Sequence, residues 1–221
     1  MLPTVGAPPS WLISQFRAGV DQTQFRRALA DLWRGLSAWP LWGYLGYHEI
    51  RQRYRRSVLG PFWITISMGV MVLALGLLYG TIFKQPLQHY LPYVTTGFIV
   101  WGLLSSFITD GLKSFIKAGG LIRQMSVPLS VHVYRLVWGN LIIFGHNLLV
   151  YVAVASWFQV DLGWSLLLAP LAIGLLVLNG VWIGLLFGLL SARFRDIPLI
   201  VGSVLQVVFF LTPVIWRADM L

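Results

Sequence analysis

The chain lacks cysteine, has few charged residues and contains no phosphate-binding loop, and each absence excludes a class of function. Without cysteine there is no disulfide and no thiolate metal site. Without a glycine loop ending in Gly-Lys-Ser or Gly-Lys-Thr, the chain has no motif for holding the phosphates of ATP. Its seven carboxylates and four histidines are scattered, with neither metal-ligand spacing nor a nucleophile beside a base. We therefore expect no catalytic residue, no metal site and no bound cofactor.

The carboxylates that have basic neighbours stand three or four residues from them, which is the spacing of local ion pairs on a helix. The predicted pairs are Glu49–Arg53, Asp110–Lys113 and Arg193–Asp196.

Charged residues make up only 10% of the 221 residues, whereas 57% are hydrophobic. Several apolar runs continue for the roughly 20 residues that a helix needs to cross a bilayer. The net charge of +9 would suggest nucleic-acid binding in a soluble protein, but the basic residues lie between the apolar runs, where membrane orientation explains them. The sequence predicts an all-α, polytopic integral membrane protein with no nucleic-acid partner.

Five apolar runs are long enough to be membrane spans. The second is diluted by threonine and serine, and the fourth, longer than one crossing needs, should tilt or break near Pro170. The predicted spans are residues 62–83, 91–109, 136–158, 166–190 and 197–216.

The distribution of lysine and arginine predicts the orientation, because basic residues near span ends stay on the cytoplasmic side. With the N-terminus inside, fourteen of the sixteen fall on that side, and only Lys84 and Arg217 fall outside. This predicts a cytoplasmic N-terminus, and we expect no signal peptide.

Two amphipathic stretches, residues 24–39 and 41–58, precede the first span. We expect helices on the cytoplasmic membrane surface, so that residues 1–58 form an N-terminal region and residues 59–221 the membrane domain. The second stretch ends in a basic cluster, which acts either as an orientation anchor or as a site for lipid phosphate. That cluster is Arg51, Arg53, Arg55 and Arg56.

The largest cytoplasmic segment after the first span is residues 110–134, which carries basic residues, the pair Gly119 and Gly120, and Pro128. The pattern predicts a short helix, a break at the glycine pair and a second amphipathic turn. Such a segment fits an element that couples to a partner, and an ordinary basic loop fits equally well. Because the chain has no phosphate-binding loop, an ATP-driven transporter would need its energy source in a partner chain.

Small and polar residues recur within the predicted spans. Gly76 and Gly80, and the series of glycines from 180 to 188, have the four-residue spacing of closely packed helices. Asn140 and Asn147 are seven residues apart, so they share one helix face. We expect that face to point inward, either as cross-helix hydrogen-bonding groups or as pore lining.

Aromatic residues are abundant, with eleven tryptophans. Most belong near span ends, where an aromatic belt is expected. Sugar rings also pack their C–H faces on aromatic rings, so rings along a passage would guide a glycan. The candidate channel rings are Trp63, Tyr79, Phe83, Phe209, Phe210 and Trp216.

The segment EIRQRYRRSVLGPFW, residues 49–63, resembles the start of the first span in polysaccharide-export permeases of the ATP-binding-cassette class, the exporters of O-antigen, capsule and teichoic acid. Three further segments are similar to that family in the same order. They are GGLIR from Gly119 with Pro128 behind it, RFRDI from Arg193, and FFLTPV from Phe209. The resemblance covers the chain from about Leu41 onward.

The resemblance implies a permease homodimer with two nucleotide-binding ATPase subunits, which would hold ATP and magnesium, and a lipid-linked polysaccharide as substrate in a setting of membrane lipids. It implies a phosphate-loading region at Arg51, Arg53, Tyr54, Arg55 and Arg56. It implies coupling to the ATPase by Lys113, Lys117, Gly119, Gly120, Arg123 and Pro128, and an outer gate after Phe209. Such permeases have six spans, so we expect the last helix and a re-entrant segment to be lacking here.

Three alternatives remain open on the sequence. An exporter of drugs or small lipids would share the fold but should contain an apolar pocket. A membrane glycosyltransferase or polymerase should show acidic residues at a membrane face. A non-transporting membrane scaffold would bind no ATPase.

Overall fold

The computed structural model describes residues 22–55, 57–124, 127–161 and 163–217, and these form helices without a strand. Arg56 and residues 1–21, including the predicted cytoplasmic Arg17, lie outside the described residues. The helices are α1 (Gln22–Ser37), α2 (Trp39–Arg53), α3 (Phe62–Ile82), α4 (Leu87–Gln124), α5 (Ser130–Trp157), α6 (Ala169–Arg193) and α7 (Ile197–Leu211). The predicted all-α class is confirmed.

Four helices are long and apolar enough to cross a membrane. They lie where the first four spans were predicted, and their bounds are Phe62–Ile82, Leu87–Gly120, Ser130–Trp157 and Leu166–Arg193. The last begins with a 3-10 helix, Trp164–Leu168, and becomes α6 at Ala169. This change of helix type stands beside Pro170, where a tilt or break was expected.

The prediction of a fifth span at residues 197–216 is wrong in length, because α7 ends at Leu211. Its 15 residues extend about 22 Å at roughly 1.5 Å per residue, less than the ~30 Å hydrocarbon core. Thr212 has extended backbone angles (φ −82°, ψ 137°), and Pro213 has no N–H to continue the helix.

Helix α4 is the largest departure from prediction, because its 38 residues continue through Gly119 and Gly120 to Gln124. The predicted break at the glycine pair is wrong. Glycine weakens a helix by about 1 kcal/mol but does not end it unless the backbone needs positive φ, and among the described glycines only Gly60 has positive φ. Helix α4 is therefore about 57 Å long and extends well beyond a ~30 Å hydrocarbon core.

Helix α5 begins at Ser130, six residues before the predicted third span. Most of the 110–134 segment therefore belongs to α4 and α5 rather than to a loop. The basic flanks of the spans gather at the N-terminal ends of α3 and α5 and the C-terminal ends of α4 and α6. We call this side of the bundle the basic end and the opposite side the far end.

Helix α4 is the centre of the bundle and packs against α3, α5, α6 and α7. Its apolar face meets α5 in the main core, and side chains of α6 pack against that core. The buried residues of this core are Ile99, Leu103, Phe107, Phe115, Val133, Val137 and Phe144.

Glycines on α6 let it approach α4 closely. A Cβ on Gly180 would lie 2.7 Å from the ring of Phe107, and one on Gly111 would lie 3.0 Å from the Cα of Gly184. At these positions the space that a side chain would need is filled by the neighbouring helix, as in small-residue helix contacts in membranes. The predicted packing role of this glycine series agrees with the geometry.

Helices α1 and α2 both lie against the basic end of α5. The Asp31 carboxylate accepts hydrogen bonds from the N–H groups of Leu129 (3.1 Å) and Ser130 (3.0 Å), and the Ser130 hydroxyl donates to the Asp31 carbonyl at 2.8 Å. A side chain of α1 thus satisfies backbone donors that the start of α5 leaves unpaired.

The close contact between α4 and α6 gives a stability prediction. We expect Gly180→Ala to lower the free energy of unfolding by about 1–3 kcal/mol, because the added methyl overlaps the fully buried Phe107. Gly174→Ala is the matched control, since Gly174 lies on the same helix with nothing within 4 Å. Thermal unfolding of the purified protein in detergent measures both variants. Equal melting temperatures for the two would contradict the packing role.

Candidate functional site

A polar cavity lies at the basic end where α2, α4 and α5 meet, and we call it the junction cavity. It encloses about 40 Å³. Its charged and polar lining residues are Glu49 and Arg53 from α2, Asp110, Ser114 and Lys117 from α4, and His132, Arg135 and Asn140 from α5. Because these residues come from three separate helices, the fold assembles a polar site that no single segment of sequence displays.

The close approach of α2 to α5 forms one wall of the cavity. A Cβ on Gly46 would lie 2.9 Å from the carbonyl oxygen of Arg135 and 3.0 Å from the Trp138 ring, so only glycine fits there without displacement. Beside it, the Trp42 ring lies with its centroid 6.0 Å from that of Tyr134 and 6.1 Å from that of Trp138. Helix α2 is thus fixed by packing, and its polar face turns towards α4 and α5.

The charges around the cavity are mostly not paired with one another. Arg135 Nε lies 3.7 Å from Glu49 Oε2, which is an ion pair but too long for a hydrogen bond. All three ion pairs predicted from the sequence are wrong, although all six of their residues are described. Glu49 forms its ion pair with Arg135 of another helix. The other five residues have no oppositely charged group of the described residues within 4 Å; they are Arg53, Asp110, Lys113, Arg193 and Asp196.

Three buried nitrogen atoms of the cavity lining have no hydrogen-bond partner: His132 Nδ1, Arg135 Nε and Asn140 Nδ2. His132 is 2% exposed and Asn140 is 5% exposed, so water outside the protein does not reach these atoms. A buried polar atom without a partner costs about 1–3 kcal/mol, and a cluster of three therefore points to an occupant that accepts hydrogen bonds.

The inward face of α5 departs in part from the expectation for Asn140 and Asn147. Both are buried as expected, yet Asn140 Nδ2 and Asn147 Oδ1 have no partner, so these atoms do not join helices. The cross-helix hydrogen bond at this level comes from Thr65 of α3, whose hydroxyl donates to the His146 carbonyl at 3.1 Å.

The arginine cluster begins in the last turn of α2 and continues into the turn that follows. Arg51, Arg53 and Arg55 are all exposed, and Arg53 also lines the edge of the junction cavity. Tyr54 lines a shallow surface cavity together with Trp63, one of the candidate channel rings. Gly60, with φ of +54°, turns the chain into α3. Of the described residues of this predicted phosphate-loading region, only Arg53 also lines the junction cavity.

The candidate coupling residues lie mostly on the C-terminal extension of α4. Lys113 and Lys117 are exposed one helical turn apart, and Lys117 also lines the junction cavity. A Cβ added to Gly119 or Gly120 would meet nothing within 4 Å, and Arg123 belongs to the last turn of the helix. Pro128 follows in the short connection to α5.

The candidate channel rings fall into two clusters at the far end, with Trp63 apart from both. In the first, the Tyr79 and Phe83 rings stack with centroids 5.7 Å apart, and Tyr90 meets Phe83 at 6.4 Å. In the second, Phe209 lies 5.8 Å from Phe98, 5.5 Å from Trp101 and 5.3 Å from Phe210.

Two tyrosines of α4 hold the segment after α7, and sequence reasoning missed both. The Tyr90 hydroxyl donates to the Ile215 carbonyl at 2.5 Å. The Tyr93 hydroxyl lies 2.5 Å from the Pro213 carbonyl oxygen and 2.9 Å from that of Trp216, and its one hydrogen is shared between them. The Trp216 ring N–H donates to the Phe210 carbonyl at 3.0 Å. Pro213 was the available signal, because a proline late in an apolar run predicts a break.

An open groove of about 360 Å³ runs between α4 and α7. The aromatic residues Phe98, Trp101 and Phe209 line it, together with the polar side chains of Ser105, Thr109 and Gln206. Along α4 the rings of Phe98 and Trp101 come first and the hydroxyls of Ser105 and Thr109 follow, so the groove has an aromatic end and a polar end. A second cavity, of about 520 Å³ between α3, α4 and α5, is almost wholly apolar.

No group of three or more histidine or acidic residues that could hold a metal ion occurs in the described parts of the chain. Glu49 and Asp110 both line a cavity beside arginine and lysine, and Asp196 stands directly before α7, next to Arg195.

Comparison with known proteins identifies related chains. Two proteins of Klebsiella pneumoniae, each named O-antigen export system permease protein RfbA, are 23% and 24% identical over 179 residues, covering 78% of this chain and 67% of their own length. A protein of the same name from Myxococcus xanthus is 23% identical over 168 residues, covering 76% of this chain and 65% of its own.

The match to a protein family is broader than the match to any of these relatives. Residues 40–221, which include all four span-length apolar helices of the described residues, match the ABC-2 type transporter family. This agrees with the resemblance found in the sequence and with the bundle of apolar helices. The chain therefore is a multi-pass membrane protein that belongs to the ABC-2 type transporter family.

Proposed function

We propose that this chain is the permease subunit of an ATP-driven exporter that moves a lipid-linked polysaccharide, of the O-antigen, capsule or teichoic-acid type, across the bacterial inner membrane. The observation that carries the proposal is the groove between α4 and α7, which has aromatic rings at one end and hydroxyl and amide groups at the other. Relatives named as O-antigen export permeases support the same cargo class.

The path for the glycan lies on the surface of the bundle rather than through its middle. Side chains of α4 and α5, including Phe107 and Phe144, fill the centre of the bundle. A long hydrophilic chain therefore needs a passage between two copies of the protein, with the α4–α7 groove facing that passage. This supports a permease homodimer.

The energy comes from a separate nucleotide-binding subunit, two copies of which hold ATP and magnesium. The present sequence has no phosphate-binding loop, and ABC-2 membrane chains serve ATP-binding-cassette transporters. The docking element is the extension of α4 from Lys113 to Gln124, with Pro128 behind it. Because α4 is helical without an internal proline from Phe98 to Gln124, a push on this extension reaches the α4–α7 groove directly.

The lipid carrier is loaded at the basic end, which is the cytoplasmic side. Arg51 and Arg55 are exposed at the turn between α2 and α3, where a diphosphate headgroup of the cytoplasmic leaflet would meet them. Trp63 and Tyr54 border a shallow cavity beside them, suited to the first part of a lipid or sugar.

A second candidate is an exporter of drugs or small lipids, and one observation favours it. The cavity of about 520 Å³ between α3, α4 and α5 is apolar and large enough for a small lipophilic molecule. The two functions differ in which cavity is essential: the α4–α7 groove for a glycan, the apolar cavity for a lipophilic molecule.

The glycan groove gives the first functional prediction. We expect Trp101→Leu to reduce the amount of lipid-linked glycan that reaches the outer face several-fold, because leucine keeps apolar bulk but removes the stacking ring. Trp164→Leu is the control, since Trp164 is 88% exposed and lies outside the groove. The assay is surface labelling of glycan in cells that contain the full-length permease and its ATPase.

Unchanged export by Trp101→Leu would contradict the groove as the glycan path. If cells without the permease still export the glycan but no longer expel a lipophilic dye, the second candidate function replaces the first.

The loading site gives a second prediction. We expect the double change Arg51→Glu, Arg55→Glu to reduce export at least about tenfold, because each basic residue near anionic phosphate contributes about 1 kcal/mol. Arg34→Glu reverses an exposed charge on α1, away from the turn, and should export normally. Surface labelling is combined with quantification of the permease in the membrane. Equal losses in both mutants would mean that net charge, not this turn, matters.

The continuous α4 gives a third prediction, on coupling. We expect Gly120→Pro to abolish export while Gly120→Ala leaves it intact, because proline kinks the helix at a cost of about 3 kcal/mol and alanine strengthens it. The open space around Gly120 accepts either side chain. The measurement is ATP hydrolysis and glycan transport by the assembled complex in vesicles. Loss of transport with Gly120→Ala would instead show that the glycine pair must bend.

A further inference from the structure

We propose that the junction cavity binds a phosphate group, because buried donor nitrogens without partners and a surplus of positive charge converge on it. The phosphate comes from the headgroup of a lipid in the cytoplasmic leaflet or from solution. The site lies between α2, α4 and α5, apart from the exposed Arg51 and Arg55, and the inference does not depend on which cargo the protein exports.

The unpartnered atoms define the hydrogen-bonding character of the occupant. Arg135 Nε and Asn140 Nδ2 are donors only, and His132 Nδ1 is a donor in one of its two neutral tautomers. Arg135 Nε and Asn140 Nδ2 therefore require an acceptor, and His132 Nδ1 pairs with the same acceptor in its Nδ1–H tautomer. A phosphate presents several acceptor oxygens at once, and it accepts readily from arginine and amide N–H groups.

The charge of the cavity also selects an anion. Arg53, Lys117 and Arg135 contribute three positive charges, against the carboxylates of Glu49 and Asp110, which leaves a net charge of +1 with His132 neutral. The Glu49–Arg135 contact, at 3.7 Å, forms no hydrogen bond and leaves Arg135 Nε available. Water would satisfy the donors but would not offset this charge.

The size and position of the cavity fit a headgroup better than a whole molecule. Its volume of about 40 Å³ has room for the equivalent of roughly three water molecules, and thus for phosphate oxygens. Arg53 and Lys117 are exposed at its edge, so the remainder of a headgroup extends outward at the basic end. There the cytoplasmic leaflet supplies phosphate at high local concentration.

The test is thermal unfolding of the full-length permease, purified in a phosphate-free maltoside detergent. One arm adds inorganic phosphate at constant ionic strength against chloride. A second arm adds phosphatidylglycerol against a phosphate-free galactolipid. We expect a rise in Tm of about 2–4 °C at several times the Kd, because a ligand stabilises only the folded state that binds it. A rise in Tm in the first arm means that free phosphate is sufficient for binding. A rise only in the second arm means that the ligand is a lipid headgroup.

Two variants separate binding from folding. Asn140→Leu should lose the phosphate-dependent rise while keeping or raising the Tm without ligand, because it removes a buried unpaired donor at similar volume. Lys117→Gln, at an exposed position, should lose part of the rise without affecting folding. Arg193→Gln, an exposed arginine at the basic end outside the cavity, should keep the rise in full.

No rise with either probe in the native sequence would overturn the proposal. So would a full rise in both Asn140→Leu and Lys117→Gln, which would place phosphate elsewhere. An Asn140→Leu protein that is less stable without ligand would mean that Asn140 is already satisfied by water, and the proposal would fail.

Discussion

The contact between α4 and α6 is the interaction on which the other contacts of the bundle depend. In a bilayer there is little hydrophobic drive to bring helices together, so association relies on close packing and on hydrogen bonds between helices. Gly111 on α4 and Gly184 on α6 allow close packing, because neither carries a side chain at the crossing. With α6 held against it, α4 keeps a fixed position from which α3, α5 and α7 are placed.

The length of α4 connects three regions that would otherwise be separate. Its far end carries Tyr90 and Tyr93, which hold the segment after α7, and its middle forms the core. Its basic end carries Asp110 and Lys117 at the junction cavity and then continues beyond the core of a bilayer. A rigid helix transmits displacement without losing it in a hinge. A force on the extension therefore reaches the groove between α4 and α7, which is what an ATP-driven permease requires.

Features that depend on local composition, such as the bounds of an apolar span, were predicted correctly. Features that depend on contacts between distant residues were not. Span α3 was predicted within one residue, because its 21 residues are apolar throughout. The break at Gly119 and Gly120 was wrong, because glycine lowers helix stability without requiring a turn. Pro213 could have predicted the end of α7 at Leu211. The span was instead extended to residue 216 because residues 214–216 are apolar.

The junction cavity was beyond sequence reasoning for a different reason. Glu49 and Arg135 belong to helices far apart in the chain, and the pairs expected from local spacing are not those that form. Arg135 carried a signal only for membrane orientation, and His132 carried none. Their common site results from the close approach of α2 to α5 at Gly46, which becomes visible only once the helices are packed.

Helix geometry gives neighbouring arginines of α2 different surroundings. Residues two apart on an α-helix point in nearly opposite directions, so Arg51 and Arg53 are both exposed but only Arg53 lines the junction cavity. In the proposed arrangement, a phosphate at this cavity would link α2 to α4, because Arg53 belongs to α2 and Lys117 to α4. It would also offset the net charge of +1 that Glu49 and Asp110 leave there.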